Sequence, residues 1–149
     1  MAIAKLLDSL WAAMEGKQGS QTRATFDRTQ KRLGPCPDIP NCVSTQAPVD
    51  DAEHYIEPIS YTGTVANARH HLLTVIHQMP LTTLITDEPD YLYFEFRTPL
   101  MRFVDDVEFY FDDEAHLIHF RSASRLGKGD MGTNRKRMEA IRQNFGKGR

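Results

Sequence analysis

Residues 91–124 read YLYFEFRTPLMRFVDDVEFYFDDEAHLIHFRSAS, and three segments of this stretch alternate apolar and polar side chains. The three segments are Tyr91–Arg97, Phe103–Phe111 and Leu117–Ser124. Alternation with a period of two is typical of strands that bury one face. Because short links join neighbouring strands that run in opposite directions, the stretch predicts consecutive strands of an antiparallel sheet.

Further strands are predicted on the N-terminal side of this stretch. Leu81–Thr86 is β-branched and apolar, which indicates a fourth strand of the same run. Tyr55–Ser60 is a shorter candidate, and Pro58 marks it as an edge strand because proline has no N–H to donate. The proline-rich stretch from Leu33 to Ser44 predicts a rigid, extended loop.

Two helices are predicted around these strands. Thr64 is a candidate N-cap for a helix from Val65 to about Gln78, which Pro80 ends. Thr133 is the candidate N-cap of a last helix that runs to Phe145 and stops at Gly146.

The N-terminal part of the chain predicts a separate amphipathic helix. Residues 3–14 carry an apolar stripe, and Gly16 ends it. The stripe consists of Ile3, Leu6, Leu7, Leu10, Trp11 and Met14. The polar residues that follow, 17–32, predict a flexible tether. Because the helix has few basic residues, its sequence favours docking on protein over docking on a membrane surface.

The predicted order is therefore helix-loop-strand-helix-four strands-helix. This order is typical of an α+β fold with an antiparallel sheet of four to five strands and helices packed on one face. We predict that residues 1–32 form the helix and tether and that residues 33–149 form a single α+β domain.

Composition limits the possible classes of protein. The 149 residues are 40% hydrophobic and 26% charged, which is ordinary for a globular chain. We find no apolar run of membrane-spanning length and no signal peptide, which predicts a cytoplasmic protein, with a peripheral location as the alternative. The net charge of -2 excludes a uniformly basic nucleic-acid binder. Both chain ends are basic and the middle is acidic. The basic ends could bind an anionic partner, or they could pair with the acidic middle of the same chain.

One face of the predicted sheet is rich in charge. Alternation places Asp106, Glu108 and His119 on it, and these are the candidate catalytic residues. The same face carries candidate ligand-binding residues, Arg97, Arg121 and Arg125, for an anion. The alternative is a solvent-facing surface with cross-strand ion pairs. Asp105 falls on the apolar face, so it is either misassigned or buried with a partner in a structural role.

The segment after the last strand combines glycine with basic residues. We call residues 125–132 the Arg/Gly-rich loop; it precedes the helix that begins near Thr133. Helix N-termini favour anions, so Ser122, Ser124, Asn134 and Arg135 are further candidate ligand-binding residues. The alternative is a glycine-built turn in which Asp130 or Thr133 caps the helix.

The two cysteines, Cys36 and Cys42, have a spacing that matches neither a zinc knuckle nor a thioredoxin-type motif. We predict a structural role for them. Free thiols are favoured if the protein is cytosolic, and a disulfide across the proline loop is the alternative. The histidines lack the spacing of metal ligands, so we predict no metal and no cofactor.

Three stretches resemble a known family. The first is Cys36–Ser44 (CPDIPNCVS), and the second is Phe103–Phe109 (FVDDVEF). The third has two parts, Arg121–Arg125 (RSASR) and Asp130–Arg137 (DMGTNRKR). In this order they resemble the family called domain of unknown function 1499, over residues 33 to 145. The resemblance implies occurrence in bacteria and plastids and implies no particular activity. The resemblance also implies that many relatives carry an export or membrane segment at the N-terminus, where we predict the amphipathic helix.

These observations lead to three hypotheses about function. The first is a non-enzymatic binding module that holds an anionic small molecule or a partner protein through the charged sheet face and the Arg/Gly-rich loop. The second is a hydrolase-like enzyme, in which Asp106 or Glu108 acts as general base and Arg121 and Arg125 hold the substrate. The third is an assembly factor that docks through the N-terminal helix. Nucleic-acid binding is disfavoured because no stacking platform accompanies the basic C-terminal helix.

Overall fold

A computed structural model describes residues 23–148 of the chain. The predicted N-terminal helix lies outside these residues. Eight elements follow in chain order. They are β1 (Cys42–Ser44), β2 (Ile59–Ser60), α1 (Val65–His77), β3 (Thr82–Glu88), β4 (Tyr91–Arg97), β5 (Val104–Asp112), β6 (Leu117–Ser124) and α2 (Thr133–Lys147).

The strands form one antiparallel sheet, which confirms the α+β class. Its order is β1-β6-β5-β4-β3, and β2 also pairs with β6. The sheet has six strands instead of the predicted four to five, because two short strands flank β6. One of them, β1, lies inside the predicted proline loop, where residues 42–44 contain no proline and can pair. The predicted strand Tyr55–Ser60 is reduced to β2.

The apolar side chains of β4, β5 and β6 lie on one face of the sheet, as their alternation along the sequence predicts. Val107, Phe109 and Phe111 of β5 lie opposite Ser122, Phe120 and Ile118 of β6 on one face. Leu92, Phe94 and Phe96 of β4 join them, and all three are at most 3% exposed. Helices α1 and α2 cover this face.

The predicted cap of α1 is confirmed, and that of α2 is wrong. The Thr64 hydroxyl accepts a hydrogen bond from the N–H of Asn67. In α2 the N-cap is Gly132, in a left-handed conformation (φ 79°), and Thr133 is the first helical residue. The helix also continues past Gly146 to Lys147.

Residues 23–35, which we call the arm, cross the opposite face of the sheet. Phe26 stacks on Tyr91 and Tyr110, each at 4.8 Å between ring centroids. A tight reversal follows, in which Asp27 and Arg32 form a backbone bridge. The returning chain passes Thr25 so closely that a Cβ on Gly34 would lie 2.7 Å from the Thr25 Cβ. The described part of the predicted tether therefore packs against the sheet.

Within residues 23–148, helices α1 and α2 are both too short and too polar to cross a lipid bilayer.

Candidate functional site

The charged side chains of the sheet form a buried cluster, not a solvent-facing surface. We call this group the polar-face cluster: Tyr91, Tyr93, Glu95, Asp106, Glu108, Arg121 and Arg125. Glu108 is 0% exposed and Asp106 is 4% exposed. Strand β5 is thus buried on both faces, and its carboxylates need partners inside the protein.

Asp106 is held by Arg125 and Tyr93. Arg125 donates from Nε and Nη2 to the two Asp106 oxygens at 2.8 to 3.2 Å, and its Nη2 also donates to Glu95 at 3.0 Å. The Tyr93 hydroxyl donates to the same carboxylate. Burial opposes the charged guanidinium, but these bonds outweigh burial and raise the pKa of Arg125. Burial also raises the pKa of Tyr93, so it remains a neutral donor.

Glu108 is held by the arm and by Tyr91. Thr25 donates to the two Glu108 oxygens, from its N–H and from its hydroxyl, each at 2.7 Å. The Tyr91 hydroxyl donates to Glu108 at 2.7 Å. Three short bonds therefore occupy this carboxylate, and the arm covers it.

Arg121 is less well partnered than Arg125. Its Nη2 donates to the carbonyl of Pro35 at 3.2 Å, and its Nη1 lies 3.9 Å from Glu108. Within residues 23–148, its buried Nε has no hydrogen-bond partner. Burial lowers the pKa of Arg121. Arg121 is not among the residues that line the cavities described below.

The third candidate catalytic residue, His119, lies apart from Asp106. His119 is opposite Tyr110, whereas Asp106 is opposite Ala123, four residue pairs further along the two strands. Its Nδ1 shares a hydrogen bond of 3.0 Å with the Thr45 hydroxyl, and burial lowers its pKa. The structure therefore places Asp106, Glu108 and His119 on one face but does not gather them around a common point. Arg97 lies on this face at the end of β4, opposite Val104.

The other candidate ligand-binding residues lie on the helix side of the sheet. Asn134, which is 0% exposed, is the centre of what we call the Asn134 network: Asn41, Asp105, Ser122, Ser124, Asp130, Asn134 and Arg137. Its amide nitrogen donates to the Asn41 carbonyl, Ser124 and Asp130, and its oxygen accepts from Ser122. Arg135 lies outside the network and donates to the carbonyls of residues 52, 53 and 55. The sheet thus separates two groups that the sequence analysis assigned to one site.

Asp105 is buried with a partner on the apolar face, which was one of the two sequence-based interpretations. It is 2% exposed and accepts a hydrogen bond of 2.6 Å from Arg137. Burial raises the pKa of Asp105, although the Arg137 guanidinium opposes the rise. Arg137 also donates to Asn134 and lies over the ring of Phe96 at 5.0 Å. This pair ties α2 to the sheet.

The N-terminus of α2 is occupied by a carboxylate of the protein itself, that of Asp130. The Asp130 carboxylate accepts from the N–H of Gly132 at 2.8 Å and from the N–H of Asn134 at 3.1 Å. Burial alone would raise the pKa of Asp130, but these bonds lower it. The structure thus shows a turn capped by Asp130, so an external anion would have to displace this carboxylate.

Cys36 and Cys42 form a disulfide, not the pair of free thiols favoured for a cytosolic protein. It closes what we call the Cys loop, residues 36–42. The His54 side chain lies behind this loop, where its Nε2 donates to the carbonyl of Ile39 at 2.9 Å and its Nδ1 donates to Asp51 at 2.8 Å.

His54, Asp51 and Glu53 are close enough to surround a metal ion. Because hydrogen bonds already use both ring nitrogens of His54, this cluster does not offer a free imidazole ligand.

Two loops with exposed apolar side chains face each other at one end of the sheet. The β4–β5 turn, residues 98–103, carries Leu100 and Met101, which are 76% and 47% exposed. In the Arg/Gly-rich loop, Met131 is 94% exposed and has a left-handed backbone (φ 55°). A cavity of about 250 Å³ between the loops is lined by residues of both, and a second of about 290 Å³ adjoins Met131 on the Cys-loop side.

Several residues of these sites were missed or given other roles by the sequence analysis. Thr25 and Phe26 fall in the predicted tether, and no local pattern distinguishes them from its other polar residues. Arg137 and Asn41 belong to the family-like stretches, where their residue types do not reveal that they meet across the fold.

A comparison with known protein families gives one match, and comparisons with curated proteins and with solved structures give none. The matching family is described as "Protein of unknown function (DUF1499)", and the match covers residues 32–145. The matched region includes the Cys loop, the Asn134 network and all eight elements of the fold apart from the last residues of α2. The chain therefore belongs to the DUF1499 family, as the three sequence stretches predict.

Proposed function

We propose that this protein is a non-enzymatic binding module whose partner is another protein. The binding surface consists of the Arg/Gly-rich loop and the β4–β5 turn around the 250 Å³ cavity. The observation that carries the proposal is the exposure of Met131, Leu100 and Met101 on two facing loops. Exposed apolar patches at a concave site are typical of recognition surfaces, and methionine adapts to varied partners.

Backbone strain supports the same assignment. Met131 and Arg102 both have positive φ values, 55° and 51°, without being glycine. Such residues cost about 1 to 3 kcal/mol each and cluster at functional sites. Each of the two loops thus contains one residue in an unfavourable conformation, and Lys31, Leu81 and His116 share this conformation in other turns.

Charge indicates the kind of partner. The exposed ionisable side chains of the two loops and of the first turn of α2 are basic: Arg102, Lys128 and Lys136. An exposed carboxylate, Glu53, borders the second cavity on the Cys-loop side of Met131. We therefore expect a partner segment that inserts apolar side chains between the loops and carries carboxylates on its flanks. A small anion is less well supported, because Arg125 and Arg137 are neutralised by carboxylates of the protein itself. The hydrolase hypothesis gains no support, because short hydrogen bonds occupy Asp106 and Glu108 and the arm covers Glu108.

Photo-crosslinking in the source cells tests this proposal. A photoreactive amino acid replaces Met131, or Leu100, and Val49 serves as control because it is 76% exposed but lies in another loop. We expect one discrete protein adduct from positions 131 and 100, and none from position 49. The charge reversal Arg102→Glu/Lys128→Glu should lower the adduct yield at least tenfold.

Two results would contradict the proposal. One is the same set of adducts from position 49 as from position 131. The other is the absence of a protein adduct together with co-sedimentation on vesicles that contain anionic phospholipid, which would assign the loops to a membrane surface.

The disulfide also bears on the compartment. Disulfides persist in oxidising compartments and are rare in the cytosol. We therefore propose that the protein works in an oxidising compartment instead of the cytoplasm that its sequence predicts. Acid quenching of intact cells followed by thiol alkylation tests this, and complete alkylation of Cys36 and Cys42 without prior reduction would contradict it.

A further inference from the structure

The Cys loop holds the Arg/Gly-rich loop in place. The carbonyl of Pro40 accepts from the N–H of Asp130 at 3.2 Å, and the Asn41 side chain donates to the carbonyl of Gly127 at 3.2 Å. The Asn41 carbonyl accepts from the N–H of Ser124 at 3.0 Å and from Asn134 at 3.2 Å. Residues 40 and 41 therefore contact the Arg/Gly-rich loop and both of its ends.

The middle of the Arg/Gly-rich loop is held largely by these bonds. Gly127, Gly129 and Gly132 give its backbone a large conformational entropy to lose. The loop is also anchored at its two ends: Arg125 bonds to Asp106, and Asp130 bonds to the start of α2. Between these ends, residues 126–129 take their order from residues 40 and 41, and Met131 follows them.

The two cysteines differ in exposure. Cys42 is 2% exposed and pairs with Ala123 in the sheet, although it also lines the cavity of about 290 Å³ beside Met131. Cys36 is only partly buried and lines a cavity of about 540 Å³ together with Arg32, Gln46 and Asp51. An external thiol can therefore approach the disulfide from the Cys36 side.

We propose that the Cys36–Cys42 disulfide is a thiol–disulfide exchange site, and that its reduction by a dithiol releases the Arg/Gly-rich loop. The regulatory consequence rests on the proposed function, because the released loop is the partner-binding surface. The release itself requires no partner.

A thiolate of the dithiol attacks the Cys36 sulfur, the bond between Cys36 and Cys42 breaks, and the electron pair leaves on the Cys42 sulfur, which takes up a proton. The second thiol of the dithiol then attacks the reductant's sulfur in the mixed disulfide. The bond from that sulfur to Cys36 breaks, and the Cys36 sulfur leaves and takes up a proton. The protein gains two electrons and two protons, and the dithiol becomes a cyclic disulfide.

Hydrogen–deuterium exchange of the full chain, oxidised and after treatment with dithiothreitol, tests the release. We expect an increase of at least tenfold in the exchange rate of amides in residues 37–41 and 126–134, with strands β4 and β5 unchanged. Oxidised Asn41→Ala should show a similar change in residues 126–134 alone. Unchanged exchange in residues 126–134 after complete reduction would overturn the proposal, as would uniform exchange over the whole sheet, which would indicate global unfolding.

A second experiment locates the attack. The oxidised protein is mixed with glutathione, quenched with acid and mapped for mixed disulfides. We expect the adduct on Cys36, whereas an adduct mainly on Cys42 would refute the assignment. Neither experiment involves a partner. Failure of the crosslinking experiment would therefore contradict the proposed function without affecting these two results, and failure of these two experiments would not affect the crosslinking result.

Discussion

At the scale of single residues, His54 connects the Cys loop to the rest of the domain. A carbonyl and a carboxylate can only accept, so both nitrogens of this ring must carry protons when they bond Ile39 and Asp51. The bonded form is therefore the imidazolium. Burial lowers the pKa of His54, but its bonds to Ile39 and Asp51 outweigh burial, and the pKa is raised above its ordinary value.

This raised pKa predicts a pH-dependent stability. The contribution of His54 is complete below the pKa of the unfolded chain, about 6.5, and is lost as the pH rises through the higher pKa of the folded state. We expect the difference in free energy of unfolding between wild type and His54→Gln to be largest near pH 5.5 and to shrink at alkaline pH. Urea denaturation across this range measures it.

The matched control is His70→Gln, which alters an exposed residue of α1. Comparing the two variants separates the effect of the buried ring from that of removing an exposed histidine from the same domain. A His54→Gln difference that grows with pH would show that the ring is neutral in the folded protein.

At the scale of elements, Thr25 is one of the residues that attach the arm to the sheet, together with Phe26. The hydroxyl of Thr25 donates to Glu108 and accepts from the N–H of Gly34 at 2.8 Å, so it links both passes of the arm. Thr25→Val removes both bonds and leaves a buried carboxylate oxygen without its donor. We expect a loss of about 1 to 3 kcal/mol in the free energy of unfolding, measured by urea denaturation.

Thr25→Ser keeps the hydroxyl and should lose less than about 1 kcal/mol, since only a methyl group is removed. Deuterium exchange in residues 25–34 should rise in the valine variant and not in the serine variant. A larger effect of the serine substitution than of the valine substitution would show that the methyl group, not the hydroxyl, attaches the arm.

Helix α2 is tied to the sheet by the buried pair of Asp105 and Arg137. Asp105→Ala leaves the guanidinium buried without its carboxylate, and we expect a loss of about 3 to 5 kcal/mol in the free energy of unfolding. The double variant Asp105→Ala/Arg137→Met should recover most of this loss, because it removes both charges. Chemical denaturation of the three proteins measures these values, and additive losses in the double variant would contradict the ion-pair explanation.

The strands show what a single sequence can predict. Tyr91–Arg97 and Leu117–Ser124 have the predicted bounds, because their period-two alternation is strong and local. Alternation also places Asp106, Glu108 and Arg121 on one face. It could not show that this face is buried, because the residues that cover Glu108 are Thr25 and Phe26, more than 80 positions earlier. The Asn134 network could not be predicted for the same reason. Its members are polar residues that come into contact only when α2 packs on the sheet.

At the scale of the whole molecule, the disulfide contributes to stability by restricting the unfolded chain. For a loop of seven residues, chain entropy corresponds to about 2 kcal/mol. We expect reduction, or Cys36→Ser/Cys42→Ser, to lower the free energy of unfolding by about this amount. Since small domains have about 5 to 15 kcal/mol of stability, the reduced protein should remain folded.

Urea denaturation with and without dithiothreitol measures this contribution. The serine double variant should show no response to the reagent, which controls for effects unrelated to the disulfide. A reduced protein that is unfolded without urea would mean that the disulfide maintains the whole fold and not one loop.

The position of the two cysteines has a consequence for the biosynthesis of the chain. They are six positions apart, whereas Asn41 meets Asn134 from 93 positions away. The cysteines can therefore pair as soon as both reach an oxidant, before residue 134 has been synthesised. Because the chain has two cysteines, a single intramolecular pairing exists. Oxidative maturation of this chain thus needs an oxidant but no isomerase to correct wrong pairings within it.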